Sequence, residues 1–542
     1  MTIHSIRPLR TGALVAVAAT SAVLLASCAA GSDTTSTPTP TSSPSAGGDL
    51  TIGISADPVC LDPQQNGNAA SINASRQVVD SLTDIDPETG ELVPWLAESW
   101  EVSDDATSFT FTLREGVTFS DGTPLDADIV ARNFTNVVSL GAATSLVTGY
   151  LAGFESATAV DDTTVQVDFS APNAGFLSST AVVQLGIVGA STLDLTAEER
   201  CQAENIIGSG PFTFTSYAQN DSTVLTRRDG YDWSSARAAH TGDAYLDTVT
   251  FQVVGESSVR VGSLQSGQLD AITDVQPTDE EVLSGAGFGV IARANPGVLN
   301  SLFPRASNPI TADPAVRQAL QIGIDREQLA AVLSVSYAPA TGVLASSTPG
   351  YLDLSDELTF DADAAADLLD GAGWEAGADG VREKDGVPLS LEVAYINSVV
   401  TNQSVLELVQ QQLSDLGIEL TLRPLAVADY LEAVKDPALA FSFGNFTRPE
   451  LDVLRTTFGG AATNPARFSD DQLTSLFGDL QATADTAARD EVGADAQQLI
   501  VDQGYGIPVY ELAQVAAVGP DVNGVSFDSS SRLFLYDAWL AN

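Results

Sequence analysis

The chain is 542 residues long, 44% hydrophobic, and carries 71 acidic against 23 basic residues, a formal net charge of −48. That length predicts more than one folding unit, and the hydrophobic fraction supplies real cores, which excludes global disorder despite the acidity. The charge excludes nucleic-acid binding, which needs clustered Lys and Arg against the phosphate backbone. Two readings of the acidity remain: attraction of cationic solutes, or the self-repelling surface of a secreted protein.

At the N-terminus, Arg7 and Arg10 precede an apolar stretch over residues 13–26. It is too short for an ordinary membrane span and has the length of a secretory signal core. It ends in Leu25-Ala26-Ser27-Cys28, which resembles a bacterial lipobox. The resemblance implies a lipoprotein signal peptide over 1–27, lipid attachment at Cys28, and anchoring to the outer face of the cytoplasmic membrane. Residues 28–48 then read as the lipidated Cys and a disordered Ser/Thr/Pro tether, with nothing to bury. With Cys28 acylated, Cys60 and Cys201 remain. An oxidising compartment predicts a disulfide between them, two buried free thiols being the alternative.

The globular part opens with a strand over 49–54. Phe109, Phe111 and Leu113 alternate with threonines, and Val165, Val167 and Phe169 repeat that period of two, so both stretches are half-buried strands. Asp126 caps a helix between them. A strand over 248–254, a helix over 259–264 and a strand over 269–272 follow. Farther on, Asp313-Pro314 starts a helix, Asp325 caps the next, and Asp361 starts a helix that Gly371 stops. Residues 405–416 are helical and 418–422 a strand. The sum is an α/β chain.

Several segments resemble the large peptide- and nickel-type solute-binding proteins of ABC importers, family 5. They are Leu61-Asp62-Pro63, Gly90-Glu91-Leu92-Val93-Pro94-Trp95-Leu96-Ala97-Glu98-Ser99-Trp100, the run from Phe111 to Pro124, Gly208-Ser209-Gly210-Pro211-Phe212, Tyr245-Leu246-Asp247, Val316-Arg317-Gln318-Ala319-Leu320, Ile324-Asp325-Arg326, and Leu368 to Trp374. The resemblance implies a periplasmic-binding-protein-like fold (type II, cluster C) of two lobes joined by two crossings. Lobe I is then expected at 49–80, 205–300 and 505–542, an extra domain on it at 81–204, and lobe II at 301–504. Trp95 and Trp100 are expected as core anchors and Arg114 in a structural ion pair.

The resemblance further implies a monomeric extracytoplasmic receptor that closes on an oligopeptide-like solute and hands it to ABC permease subunits, with no catalysis. The sequence has no G-x-S-x-G, H-E-x-x-H or P-loop motif, and no cofactor or metal is expected. His240 is the one histidine outside the signal segment. Peptide-binding relatives carry a Trp-x-x-Asp segment whose Asp pairs with the ligand ammonium. The matching run here is Ser442-Phe443-Gly444-Asn445-Phe446-Thr447-Arg448, with neutral Asn445 at the Asp position and Asp452 as the nearest substitute carboxylate. Dipeptide-binding relatives carry an Arg in the stretch matching residues 394–403, where this chain has Asn397, Ser398, Thr401 and Asn402. Phe443, Asn445, Arg448, Asn397 and Ser398 are thus the expected ligand contacts. A neutral or anionic non-peptide solute is the alternative, with an exported hydrolase as a distant third.

Overall fold

The computed structural model describes residues 43–65, 67–144, 147–459 and 466–541. The expected signal peptide, Cys28 and most of the expected tether lie outside the described residues. The tether's last residues do not stay free. Gly47 N–H donates to the Tyr245 carbonyl at 2.7 Å and the Ser45 hydroxyl to the Leu540 carbonyl at 3.1 Å.

Two large sheets organise the chain. A seven-stranded sheet runs in the order Gly289–Ala294, Ala513–Val518, Ala271–Thr273, Asp49–Ile54, Thr248–Val253, Ser222–Arg227 and Phe212–Ala218. A six-stranded sheet runs Ala338–Pro339, Ile507–Glu511, Gly297–Pro304, Phe441–Thr447, Ser390–Ile396 and Glu419–Leu425. A separate four-stranded antiparallel sheet, built from the strands at 97–102, 108–113, 164–169 and 154–159, is packed by the helix Ala127–Ser139. Asp126 caps that helix, accepting the Ile129 N–H at 3.0 Å. Phe109, Phe134, Phe169 and Phe176 fill the layer beneath, with ring centroids 4.8–5.7 Å apart.

The chain passes between the large sheets twice. One crossing is Asn295-Pro296, between the strands Gly289–Ala294 and Gly297–Pro304. The other is Leu512, between Ile507–Glu511 and Ala513–Val518. Both differ from the boundaries near 300 and 505, because the strands on the six-stranded side extend almost to the crossing. Asn295 N–H donates to the Leu512 carbonyl at 2.8 Å, so the crossings lie side by side.

Several family-like motifs act as scaffold. Cys60 and Cys201 are bridged across 141 residues; closing such a loop contributes about 5 kcal/mol in the chain-entropy model. Beside the bridge, Asp62 and Arg200 form a fully buried pair at 2.8 Å, and Arg200 also donates to Gln64 at 2.6 Å. In the Gly-Ser-Gly-Pro run, Gly210 N–H meets the Val78 carbonyl at 2.8 Å, and a Cβ at Gly208 would lie 2.0 Å from that oxygen. Only glycine permits this approach. Trp95 is buried under the Arg76 guanidinium, 5.0 Å from its ring centroid. Arg114 makes no ion pair within 4 Å among the described residues, contrary to expectation. The helix from Asp361 ends at Gly371 as expected, and the chain turns just beyond it at Gly373, whose φ is +87°. The helix expected from 405 begins at Val400.

Candidate functional site

The register fixes where the two sheets face each other. In the seven-stranded sheet, Asp49–Ile54 and Ala271–Thr273 run parallel, and Thr273 lies opposite Ala516, a few residues from the Leu512 crossing. In the six-stranded sheet, Ser390–Ile396 and Phe441–Thr447 run parallel, and Thr447 lies opposite Gly297, next to the other crossing. The C-terminal ends of both parallel pairs therefore converge on the crossings. Open α/β sheets place ligands at the carboxyl ends of their strands. The residues just there are Ser55 and Asp274 on one side, and Asn397, Ser398 and Asn445 to Arg448 on the other. Gly297, with φ of +107°, lets the first crossing pass the strand end: a Cβ there would meet the Phe446 carbonyl at 2.1 Å.

The expected ligand contacts divide. Asn445 is half-buried and donates to the Thr447 hydroxyl at 3.2 Å. Asn397 and Ser398 are exposed at the strand end. Phe443 is turned into the core at 1% exposure, against the Tyr510 ring, because its strand is covered on both faces. It supports the opening and does not line it. Asp452 is committed as well, forked by Arg455 at 2.5 and 2.6 Å, so it is no substitute ammonium anchor.

Arg448 joins two bodies. Its guanidinium lies 4.2 Å from the ring centroid of Tyr150, which precedes the four-stranded sheet's strand at 154–159. It also lies 3.5 Å from both Glu450 and Asp452. Burial pushes the Glu450 carboxyl above its ordinary range, with Asp452 adding to the effect. Arg489, at 3.1 Å, is its closest cation.

Sequence reasoning missed three groups at the opening. Tyr337 stacks on Tyr510 with centroids 6.1 Å apart, and burial raises its hydroxyl to about 12. The Tyr510 hydroxyl donates to buried Asn402 at 2.7 Å. Beside Tyr337, Ser336 donates to Glu280, on the helix Pro277–Gly285, at 2.6 Å. Arg532 sits in the tight turn between the strands Ser526–Phe527 and Leu533–Phe534. None of these three carries a local signal, since long-range pairing brings each to the site.

The sequence profile of the bacterial extracellular solute-binding proteins, family 5 Middle, matches residues 91–464. The chain belongs to that family. The glutathione-binding protein GsiB of Escherichia coli (strain K12) is 24% identical over 491 residues, covering 88% of this chain and 91% of that protein. Two solved structures share the fold. NikA from Brucella suis, in complex with Fe(III)-EDTA, is 23% identical with a TM-score of 0.78, over 91% of this chain and all of that one. The oligopeptide-binding protein AppA from Bacillus subtilis, in complex with a nonapeptide, is 21% identical with a TM-score of 0.72, over 92% of this chain and all of that one. A family 5 protein is an extracytoplasmic solute receptor of an ABC importer, not an enzyme. His240 accords with that class. It is sandwiched between Tyr245 and Tyr536 at 4.1 and 4.2 Å and bonded to Asp537 at 2.8 Å, as a packing residue.

Proposed function

We propose that this family 5 receptor, anchored through a lipid on Cys28 and acting as a monomer, captures a peptide-like solute between its two large sheets and delivers it to ABC permease subunits. Lobe I comprises 49–80, 205–294 and 513–541, the added domain 81–204, and lobe II 297–511. The observation that carries the reading is the pair of adjacent crossings with the carboxyl ends of both sheets converging on them. Two short crossings form a hinge. A solute touching both sides favours the closed arrangement because only there does it gain both sets of contacts. Asn445, Asn397 and Ser398 supply neutral hydrogen bonds to such a solute, and Arg448 lies at the closing edge.

GsiB is named for glutathione and AppA was solved with a nonapeptide, which supports a peptide-like solute here. A buried ammonium left without a countercharge costs several kcal/mol. With Asn445 neutral and Asp452 occupied by Arg455, free dipeptides are expected to bind weakly. Calorimetry with a free dipeptide is the direct test, and sub-micromolar affinity would overturn the expected weak binding of free dipeptides. For the anchor, Cys28→Ala is expected to move the protein from the membrane fraction to the medium. Membrane retention of that variant would refute lipidation at Cys28.

A further inference from the structure

We infer that Arg532 is the anchor for a carboxylate of the solute. The inference rests on the receptor reading above and deepens it, since it names the charge of the solute's anchoring group.

Among the described residues, the Arg532 side chain makes no hydrogen bond and no ion pair, yet it is only partly exposed. Its backbone is held firmly. Arg532 N–H donates to the Asp528 carboxylate at 2.8 Å, the Asp528 N–H to the Arg532 carbonyl at 2.8 Å, and the Ser531 hydroxyl to the Ala294 carbonyl, at the first crossing, at 2.7 Å. The turn is thus pinned to the hinge while its guanidinium is left without a partner. Burial lowers the Arg532 pKa, and Asp528, Asp274 and Tyr150 act against that electrostatically. These neighbours come from the seven-stranded side and the added domain, and Tyr150 in turn lies under Arg448 of the six-stranded side. The turn that carries Arg532 is therefore held at the first crossing, where the chain passes between the large sheets.

The nearby carboxylates are already engaged. Asp528 lies 3.7 Å from Arg76 and accepts the Ser530 N–H at 2.9 Å. Asp274, held at a φ of +54°, accepts the Ser55 hydroxyl at 2.6 Å and the Thr273 hydroxyl at 3.1 Å. They make the surroundings tolerable for a cation without bonding it. Arg293 is the contrasting case. It too lacks a hydrogen bond or ion pair among the described residues, but its electrostatic neighbours include Asp86 and Glu88 as well as Asp528. A planar guanidinium with free donors, partly withdrawn from water, is the group that gains most from a carboxylate offering two parallel acceptors. The anion anchor missing from residues 394–403 is thus supplied from the opposite side of the cleft.

The test uses the full chain and two probes: a tryptic-digest peptide mixture, and the same mixture amidated at its C-termini. Bound peptides are released and quantified by mass spectrometry, and the captured species are titrated individually. The wild type is expected to bind the free acids about 10- to 100-fold more tightly than the amides. Arg532→Gln is expected to lose that preference, and Arg532→Lys, which keeps the charge without the fork, to fall between. Equal affinity of the wild type and Arg532→Gln for the acids, or capture of amides as readily as acids, overturns the inference and leaves the receptor reading standing. Capture of neither mixture by the wild type overturns both. If Arg532→Gln fails to fold, Arg532→Lys decides: an acid preference equal to that of the wild type refutes a fork-specific anchor.

Discussion

Arg200 and Arg448 are both cations withdrawn from water among carboxylates, yet their surroundings differ in completeness. Arg200 is wholly enclosed, pairs with Asp62 at 2.8 Å, and bonds Gln64 and Asn136 beside a disulfide. Arg448 is 11% exposed and stands 3.5 Å from two carboxylates, each held more closely by another arginine: Asp452 by Arg455 and Glu450 by Arg489. Its closest ring partner, Tyr150, belongs to another body. The first cluster has nothing left to bind and is locked by covalent and ionic closure. The second is loosely satisfied and spans a boundary that a hinge motion would open. Charge content does not separate scaffold from working surface in this molecule. On the proposed reading of Arg448, completeness of pairing does.

Removing the bridge tests the closed region hardest. Cys60→Ser with Cys201→Ser is expected to cost about 5 kcal/mol, read as a fall in the denaturation midpoint; a change near zero would mean that Asp62–Arg200 holds the region alone. Asp62→Ala leaves Arg200 as a buried charge without its partner, and a loss of about 4 kcal/mol is expected. A loss below about 1 kcal/mol would erase the distinction between the two clusters. Asp80 probes an intermediate case, a buried carboxylate bonded by Trp233 at 3.0 Å and Tyr231 at 3.2 Å with no arginine in direct contact. Burial raises its pKa to about 6. The folded state therefore holds this proton more tightly than the unfolded chain. The resulting stability is present below the unfolded value of 3.8 and is lost as pH rises to about 6. Asp80→Asn should remove about 3 kcal/mol of that decline. Stability profiles of both proteins between pH 4 and 7 check it, and parallel curves would contradict the assignment.

Local pattern made much of the scaffold legible. The alternations at 109–113 and 165–169 are strands, and the caps at Asp126, Asp313 and Asp361 sit where the sequence puts them. The expectation failed at Phe443, which rested on a run matched to peptide-binding relatives: its strand is buried on both faces, so a place in that run did not bring the ring to solvent. Chain composition does not change at the crossings, so nothing local marks them. Tyr150, Tyr337 and Arg532 lie nearly two hundred residues apart in sequence, and long-range packing alone sets the neighbours of each.

Arg448 is the smallest and most discriminating case. If it closes the cleft edge, Arg448→Gln removes a contact present only when the added domain and the six-stranded side are together. A partly desolvated cation over an aromatic ring contributes on the order of 1–2 kcal/mol, so a lower closed population should weaken the affinity for the captured solute about tenfold. The melting temperature of the ligand-free protein should stay within a few degrees, because Arg455 and Arg489 still satisfy Asp452 and Glu450. Calorimetry with the captured solute, beside small-angle scattering for the closed fraction, measures both quantities. An unchanged affinity would make Arg448 a second scaffold arginine. A melting loss as large as that of Asp62→Ala would do the same, and incompleteness of pairing would then no longer mark the moving surface.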